Sequence, residues 1–354
     1  MKILLFVNLI IQRLKFRYKY IRLFIINLSF FLLNFRAFKT GKYIINSRVI
    51  IQKAYIEHEH FQRTIMNWKP TITLNNYLGS KESATSMIGF HPDLRYTIDF
   101  DNQTVTKSFY RDVNLLQYSG KRMAFSNYVA APEYEIIDAN QYREDLIIGK
   151  PFSLNHQNTN KFDMLLAEYN NFLSASVYRR DDNTDHRKEF SGISRRIDTL
   201  ININKSLFNS LVFTNYFILS KGSDIAGPNI IEAEERLVLI DWEPSALKYR
   251  RFWVDVINLI IKSDPAGFMK GKYDLYLKEL FSRFGIITNP PSEIEDKMAI
   301  FCASTLVNLK KLDEVDLQDD LKQLPCRGLT RISKLDIHQV ARSVRVFEKK
   351  YRLG

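Results

Sequence analysis

The chain has 354 residues, 45% of them apolar and 25% charged, and only two cysteines. That composition excludes a disordered chain, a multi-span membrane protein and a disulfide-stapled domain, and it leaves Cys302 and Cys326 without metal-ligand spacing, so a reducing cytosol is the simplest compartment. The net charge of +12 is concentrated: residues 1–56 hold eleven Lys and Arg and no Asp or Glu, leaving 40 basic against 39 acidic residues elsewhere. The basic balance therefore describes an appendage, and no nucleic-acid-binding body is implied.

The appendage mixes its cations with Leu, Ile and Phe. Its apolar runs, Ile3–Ile11 and Leu23–Leu33, are each shorter than the roughly 20 residues a membrane span needs. Between Arg13 and Arg22, cations alternate with aromatic residues, unlike the core of a signal peptide. Three readings are open: an interfacial segment on an anionic leaflet, a helix or strand packed on the body with its cations in water, and, least favoured, a cleaved or spanning segment.

Acidic residues begin at Glu57, which sets a boundary. The expected organisation is a basic extension over 1–56, a sheet-rich N-terminal lobe over 57–151 and a helical C-terminal lobe over 152–354. Strand and turn signals mark Ile72–Leu74, Ser86–Phe90, Tyr96–Phe100 and Thr104–Phe109 as a small antiparallel sheet. Asp112–Val129 has helical spacing, and Tyr134–Ile137 and Asp145–Ile148 read as further strands. Beyond Pro151, helices are expected over Asn160–Tyr178, Ser194–Phe213, Phe252–Ile261, Tyr273–Phe284, Ile294–Leu309 and Ile337–Tyr351. The class is α+β, with two lobes joined near Leu146–Pro151.

The most informative stretch runs from Ser220 to Pro244. Asn229-Ile-Ile231 is a short apolar run, Glu232–Arg236 is turn-like, and Leu237–Ile240 reads as a buried strand ending on Asp241. That is a hairpin. Antiparallel pairing places Asn229 and Asp241 at the same end of the ribbon, on strands about 4.8 Å apart. Two oxygen donors there suit Mg²⁺, which takes a few protein oxygens and completes its shell with phosphate and water. Asp224 lies five residues before Asn229, in a loop containing Gly222, Gly227 and Pro228.

Asp224-x4-Asn229, the hairpin and Leu239-Ile-Asp-Trp-Glu243 together resemble the catalytic loop and metal strand of the aminoglycoside phosphotransferase and choline kinase superfamily. The resemblance covers roughly Leu74 to Lys262. It implies a two-lobed protein-kinase-like fold, a small antiparallel-sheet lobe and a larger helical lobe, with ATP and Mg²⁺ as cofactors. It makes Asp224 the catalytic base, Asn229 and Asp241 the metal ligands, and Asp255 a helix residue bracing the catalytic loop. In the smaller lobe, Leu78–Ser83 takes the place of a phosphate-covering loop, with Gly79, Ser80 and Ser83 near the nucleotide. Lys107 resembles the strand Lys that contacts phosphate, and Glu144–Gly149 the hinge, where backbone at Ile147 would meet adenine.

Two departures stand out. Gly222 occupies the place of the family's loop His, and Asp112–Val129 has no Glu for Lys107 to pair with; Gln117, Asp112 and Glu133 are the nearest polar candidates. Elsewhere, Glu57–His60 puts two His at alternate positions without a further ligand and reads as a solvated segment. Arg179-Arg180 and Arg195-Arg196 read as solvated helix ends, and Trp242 as packing.

The expected function is ATP-dependent phosphotransfer to a hydroxyl. Ile, Asn, Lys and Phe richness has the character of an AT-rich bacterial genome. With the basic appendage, that favours a sugar of a surface glycan or its lipid-linked precursor, reached from the cytoplasmic side and from the periphery of an inner membrane. The alternatives are a kinase of an amino alcohol or aminoglycoside, and a catalytically silent kinase-like scaffold.

Overall fold

The protein was examined as a computed structural model, which describes residues 21–34, 36, 38, 40–46, 49–52, 71–76, 87–90, 94–179, 197, 199–221, 225, 229–241, 248–310 and 334–351. The chain divides into two compact units. One comprises Met1–Leu116 and Pro132–Lys150, the other Gln117–Ala131 and Pro151–Gly354.

The first unit is built on an eight-stranded antiparallel sheet. Its strands are β1 (Gly41–Asn46), β2 (Val49–Gln52), β3 (Thr71–Asn76), β4 (Met87–Phe90), β5 (Leu94–Asp99), β6 (Thr104–Phe109), β7 (Tyr134–Asp138) and β8 (Gln141–Asp145). Their order across the sheet is β3-β1-β2-β4-β5-β6-β8-β7. Helix α1 (21–33) packs on it through Phe31, which meets Phe38 and Tyr43 at ring-centroid distances of 5.1 and 5.2 Å. Asn27 Nδ2 donates to the Asn46 carbonyl at 2.7 Å, fixing the helix against the end of β1.

The sequence reading set residues 1–56 apart as an extension. Residues 41–46 and 49–52 of that segment are strands of the sheet. Val49, Ile50 and Ile51 are β-branched and fully buried, a strand signal masked by the surrounding cations. A second difference lies at β8. The expected strand Asp145–Ile148 is replaced by Gln141–Asp145, a polar run in which Tyr142 and Glu144 turn inward. Pairing with both β6 and β7 places it there, and 146–149 follows as irregular chain.

The second unit is helical. Helix α2 (Leu115–Ser126) joins it from Gln117 onward, because Phe125 packs on Tyr169 and Phe172 of α3 (Thr159–Ser176) at centroid distances of 5.5 and 4.6 Å. Of the helix expected over Ser194–Phe213, the described residues show helical Ile197, a turn at 199–200 and α4 (Lys205–Phe213), whose N-cap Asn204 accepts from Leu207 N at 3.0 Å. Then follow α5 (Val254–Ser263), α6 (Pro265–Met269), α7 (Asp274–Ser282), α8 (Ile294–Lys310) and α9 (Lys334–Tyr351). Helix α5 is buried on all sides from Val254 to Ile260, so it forms the axis of the unit.

Two small sheets complete the unit. Strand β9 (Tyr178–Arg179) pairs with β10 (Tyr216–Ser220), which pairs antiparallel with β13 (Lys248–Arg251). Strands β11 (Ile230–Glu232) and β12 (Leu237–Leu239) form the expected hairpin. The α+β organisation, sheet-rich first and helical second, is as the sequence reading has it.

Candidate active site

The hairpin sets the register of the site. Ile230 pairs with Leu239, Ile231 with Val238 and Glu232 with Leu237, and the turn closes as Ala233 N donates to Arg236 O at 3.0 Å. One step beyond the ladder, Ile240 N donates to Asn229 O at 2.9 Å. Asn229 and Asp241 therefore leave the hairpin at its open end, on adjacent chains. The ribbon is held at both edges: Leu239 N donates to Ala130 O at 3.0 Å, and Phe152 N donates to Ile230 O at 2.8 Å.

Asp241 has φ +61°, left-handed backbone that few side chains adopt. Asp tolerates this better than most residues, at a cost of order 1–3 kcal/mol. Among the described residues, Gln103 is the one other non-glycine with positive φ. Buried Leu239 thus gives way within two residues to an exposed carboxylate, turned out of the strand by its own backbone.

A second fixed point lies on α5. Asp255 is in its first turn and almost wholly buried. Its Oδ1 accepts from Ser220 Oγ at 2.5 Å and its Oδ2 from Lys221 N at 3.0 Å. Charge-assisted bonds and the helix N-terminus stabilise the carboxylate in that setting. The bonds clamp the last residue of β10 and the first of the loop that carries Asp224. Ile225, the next residue along, is fully buried. Tyr169 lies close enough to feel Asp255: burial first, then that carboxylate, push its phenol well above the usual range, so it stays protonated.

In the first unit, Lys107 of β6 is buried with its Nζ 3.1 Å from Glu144 Oε1 of β8. The ladder sets Lys107 opposite Tyr142 and Val105 opposite Glu144, so Lys and Glu are diagonal neighbours on one sheet face. Lys107 Nζ also lies 5.8 Å from the Tyr142 ring centroid. An acidic partner for Lys107 was expected to be missing, with Gln117, Asp112 and Glu133 as the nearest substitutes. The correction is that a strand supplies it. Alternation across Gln141–Asp145 turns Glu144 inward, and the β6–β8 ladder brings it to Lys107. Ile147 is half-buried in the irregular chain after β8, and its backbone N–H and C=O have no partner among the described residues.

Asp224, Gly79, Ser80 and Ser83 lie outside the described residues, as do Trp242, Arg180, Arg195, Arg196 and the Glu57–His60 segment. Among the described residues no group of three or more His, Cys, Asp and Glu gathers to hold a metal. Cys302 is buried in α8, and burial pushes its thiol far above the usual range, so it supplies no thiolate near neutral pH.

No family model matches the sequence, and no curated protein matches it. Solved structures do. The chain is similar to the macrolide 2'-phosphotransferase MphH from Brachybacterium faecium, with 12% identity over 71% of this chain and 88% of that one, at a TM-score of 0.36. It is similar to the choline kinase LicA from Streptococcus pneumoniae, with 14% identity over 74% and 92%, at 0.35. An ethanolamine kinase from Plasmodium vivax aligns at 12% identity over 73% and 78%, at 0.31. At these values the likeness lends no weight to any residue's role.

Removing one partner of the buried ion pair strands the other charge. Glu144→Gln is expected to lower the unfolding free energy by roughly 3–5 kcal/mol in urea titration, and Lys107→Met with Glu144→Leu to recover most of that loss. Asp255→Ala leaves two buried donors unmet and is expected to cost about 3 kcal/mol in the same titration.

Proposed function

We propose that the chain is an ATP-dependent phosphotransferase with an alcohol group as acceptor. The observation that carries this reading is the open end of the β11–β12 hairpin, where Asp241 is turned outward by left-handed backbone beside Asn229. An amide oxygen and a carboxylate are hard donors, the set that Mg²⁺ takes when phosphates and water fill its remaining positions. Asn229 and Asp241 would hold that ion, which supplies charge neutralisation to the phosphates of bound ATP.

The chain's own residues do the rest. Asp224 accepts a hydrogen bond from the acceptor hydroxyl. As the hydroxyl oxygen bonds to the γ-phosphorus, the bond from that phosphorus to the bridging oxygen breaks and ADP leaves. The hydroxyl proton passes to the Asp224 carboxylate. In the first unit, the resemblance would make Lys107, held by Glu144, a phosphate contact, and Gly79, Ser80 and Ser83 nucleotide contacts. The backbone at Ile147, which has no partner among the described residues, would bond the adenine edge. Phosphoryl transfer asks for positioning more than covalent chemistry, which suits a site made of clamped loops.

For the acceptor we favour a sugar hydroxyl of a bacterial surface glycan or its lipid-linked precursor, handled on the cytoplasmic side of a membrane. The support is the acid-free segment with eleven cations. A silent nucleotide-binding scaffold is the second reading, favoured by Gly222 at the place of the loop His. Against it, the Asp255 bonds to Ser220 and Lys221 hold the loop entry without that His.

Transfer from γ-labelled ATP to fractionated envelope glycans, amino alcohols and aminoglycosides separates these readings; no labelled product with any acceptor sinks the enzyme. Asp224→Asn is expected to keep ATP binding and lose roughly 10²–10⁴-fold in transfer. Asp241→Ala should remove the Mg²⁺ dependence of ATP binding in a thermal-shift titration, and an unchanged dependence would overturn its role.

A further inference from the structure

Helix α1 has one face committed to the sheet. Asn27 and Phe31 are buried there, and Phe24, Leu28 and Phe30 pack against the same cluster of Phe38, Tyr43, Ile45, Ile50 and Ile88. The opposite face is exposed and apolar. Ile21, Ile25, Ile26, Leu32 and Leu33 are 50%, 55%, 45%, 55% and 82% exposed. At roughly 100° per residue they fall within an arc of about 140°, which also holds exposed Arg22 and Ser29 and no acidic residue. The helix is about 20 Å long, so the stripe is continuous over its whole length.

We propose that α1 lies on an anionic lipid bilayer through this outward face. A stripe of Ile and Leu fits the boundary between headgroups and acyl chains, while cations beside it fit acidic headgroups. Arg22 and Arg36 are exposed at the two ends of the stripe, within a segment of eleven cations and no acid. A second copy of the chain would satisfy the apolar half and oppose the charged half, because it brings the same cations to the contact. A polyanion such as nucleic acid would satisfy only the charged half. Among the described residues no helix is long and apolar enough to cross a membrane. The inference shares the charge asymmetry with the phosphotransfer reading but needs neither nucleotide nor acceptor, so each can fail while the other stands.

The test is sedimentation of the full chain with phosphatidylcholine vesicles, with and without phosphatidylglycerol. Binding is expected only with the anionic lipid, weakening as salt rises. Ile25→Ser with Leu33→Ser should weaken vesicle partitioning about tenfold with an unchanged melting temperature. If that variant melts early, Arg22→Glu with Arg36→Glu carries the test, with a severalfold loss expected. Equal binding to neutral vesicles overturns the proposal. So does full binding by variants that keep the fold, or a concentration-dependent dimer that the Ser substitutions dissolve.

Discussion

Asp255 is the constraint on which the second unit's site depends. A carboxylate as deeply buried as this one is costly unless its oxygens are bonded. Here Ser220 Oγ and Lys221 N supply donors to separate oxygens, and the first turn of α5 supplies a favourable dipole. Helix α5 is itself encased, and Trp253, just ahead of it, donates Nε1 to Leu211 O at 2.9 Å. The end of β10 is thus tied to a helix whose residues Val254–Ile260 are all buried. The chain that follows Lys221 begins from a fixed point.

The hairpin supplies the other fixed point by a different means. Its three-residue strands are too short to be stable alone. They persist because Ala130 and Phe152 bond their edges and because Ile230, Ile231, Leu237, Val238 and Leu239 are buried. That surplus is what supports left-handed backbone at Asp241. Strain of this kind survives where the surroundings over-determine it, and it is applied here to the one residue that must leave a buried strand with its carboxylate in solvent.

Much of this was legible in the sequence. Hairpin, turn and flanking Asn and Asp are local signals within thirteen residues, so their register follows from chain direction and alternation alone. The role of Asp255 was legible by resemblance, its donors only in outline. Glu144 was not. Its meeting with Lys107 depends on β6 lying beside β8, a non-consecutive pairing across α2 that no local pattern specifies. Strands β1 and β2 were hidden for another reason: charge dominated the reading of 1–56, while burial of Val49, Ile50 and Ile51 depends on pairing with β4 and on α1. Helix α2 falls to the second unit because of Phe125, whose partners on α3 lie more than forty residues away in sequence.

The strand origin of the Lys107 partner changes how that lysine can behave. A pair made on neighbouring strands of one sheet has its backbone positions set by the ladder. A partner carried on a helix could be moved away by shifting that helix, giving a switch. In this chain the ammonium lies against a carboxylate of the neighbouring strand, which partly neutralises it and, under the proposed function, trades some attraction for phosphate against a defined position. Under the proposed function, any on–off control would then act elsewhere, at the loops whose ends Asp255 and the hairpin hold.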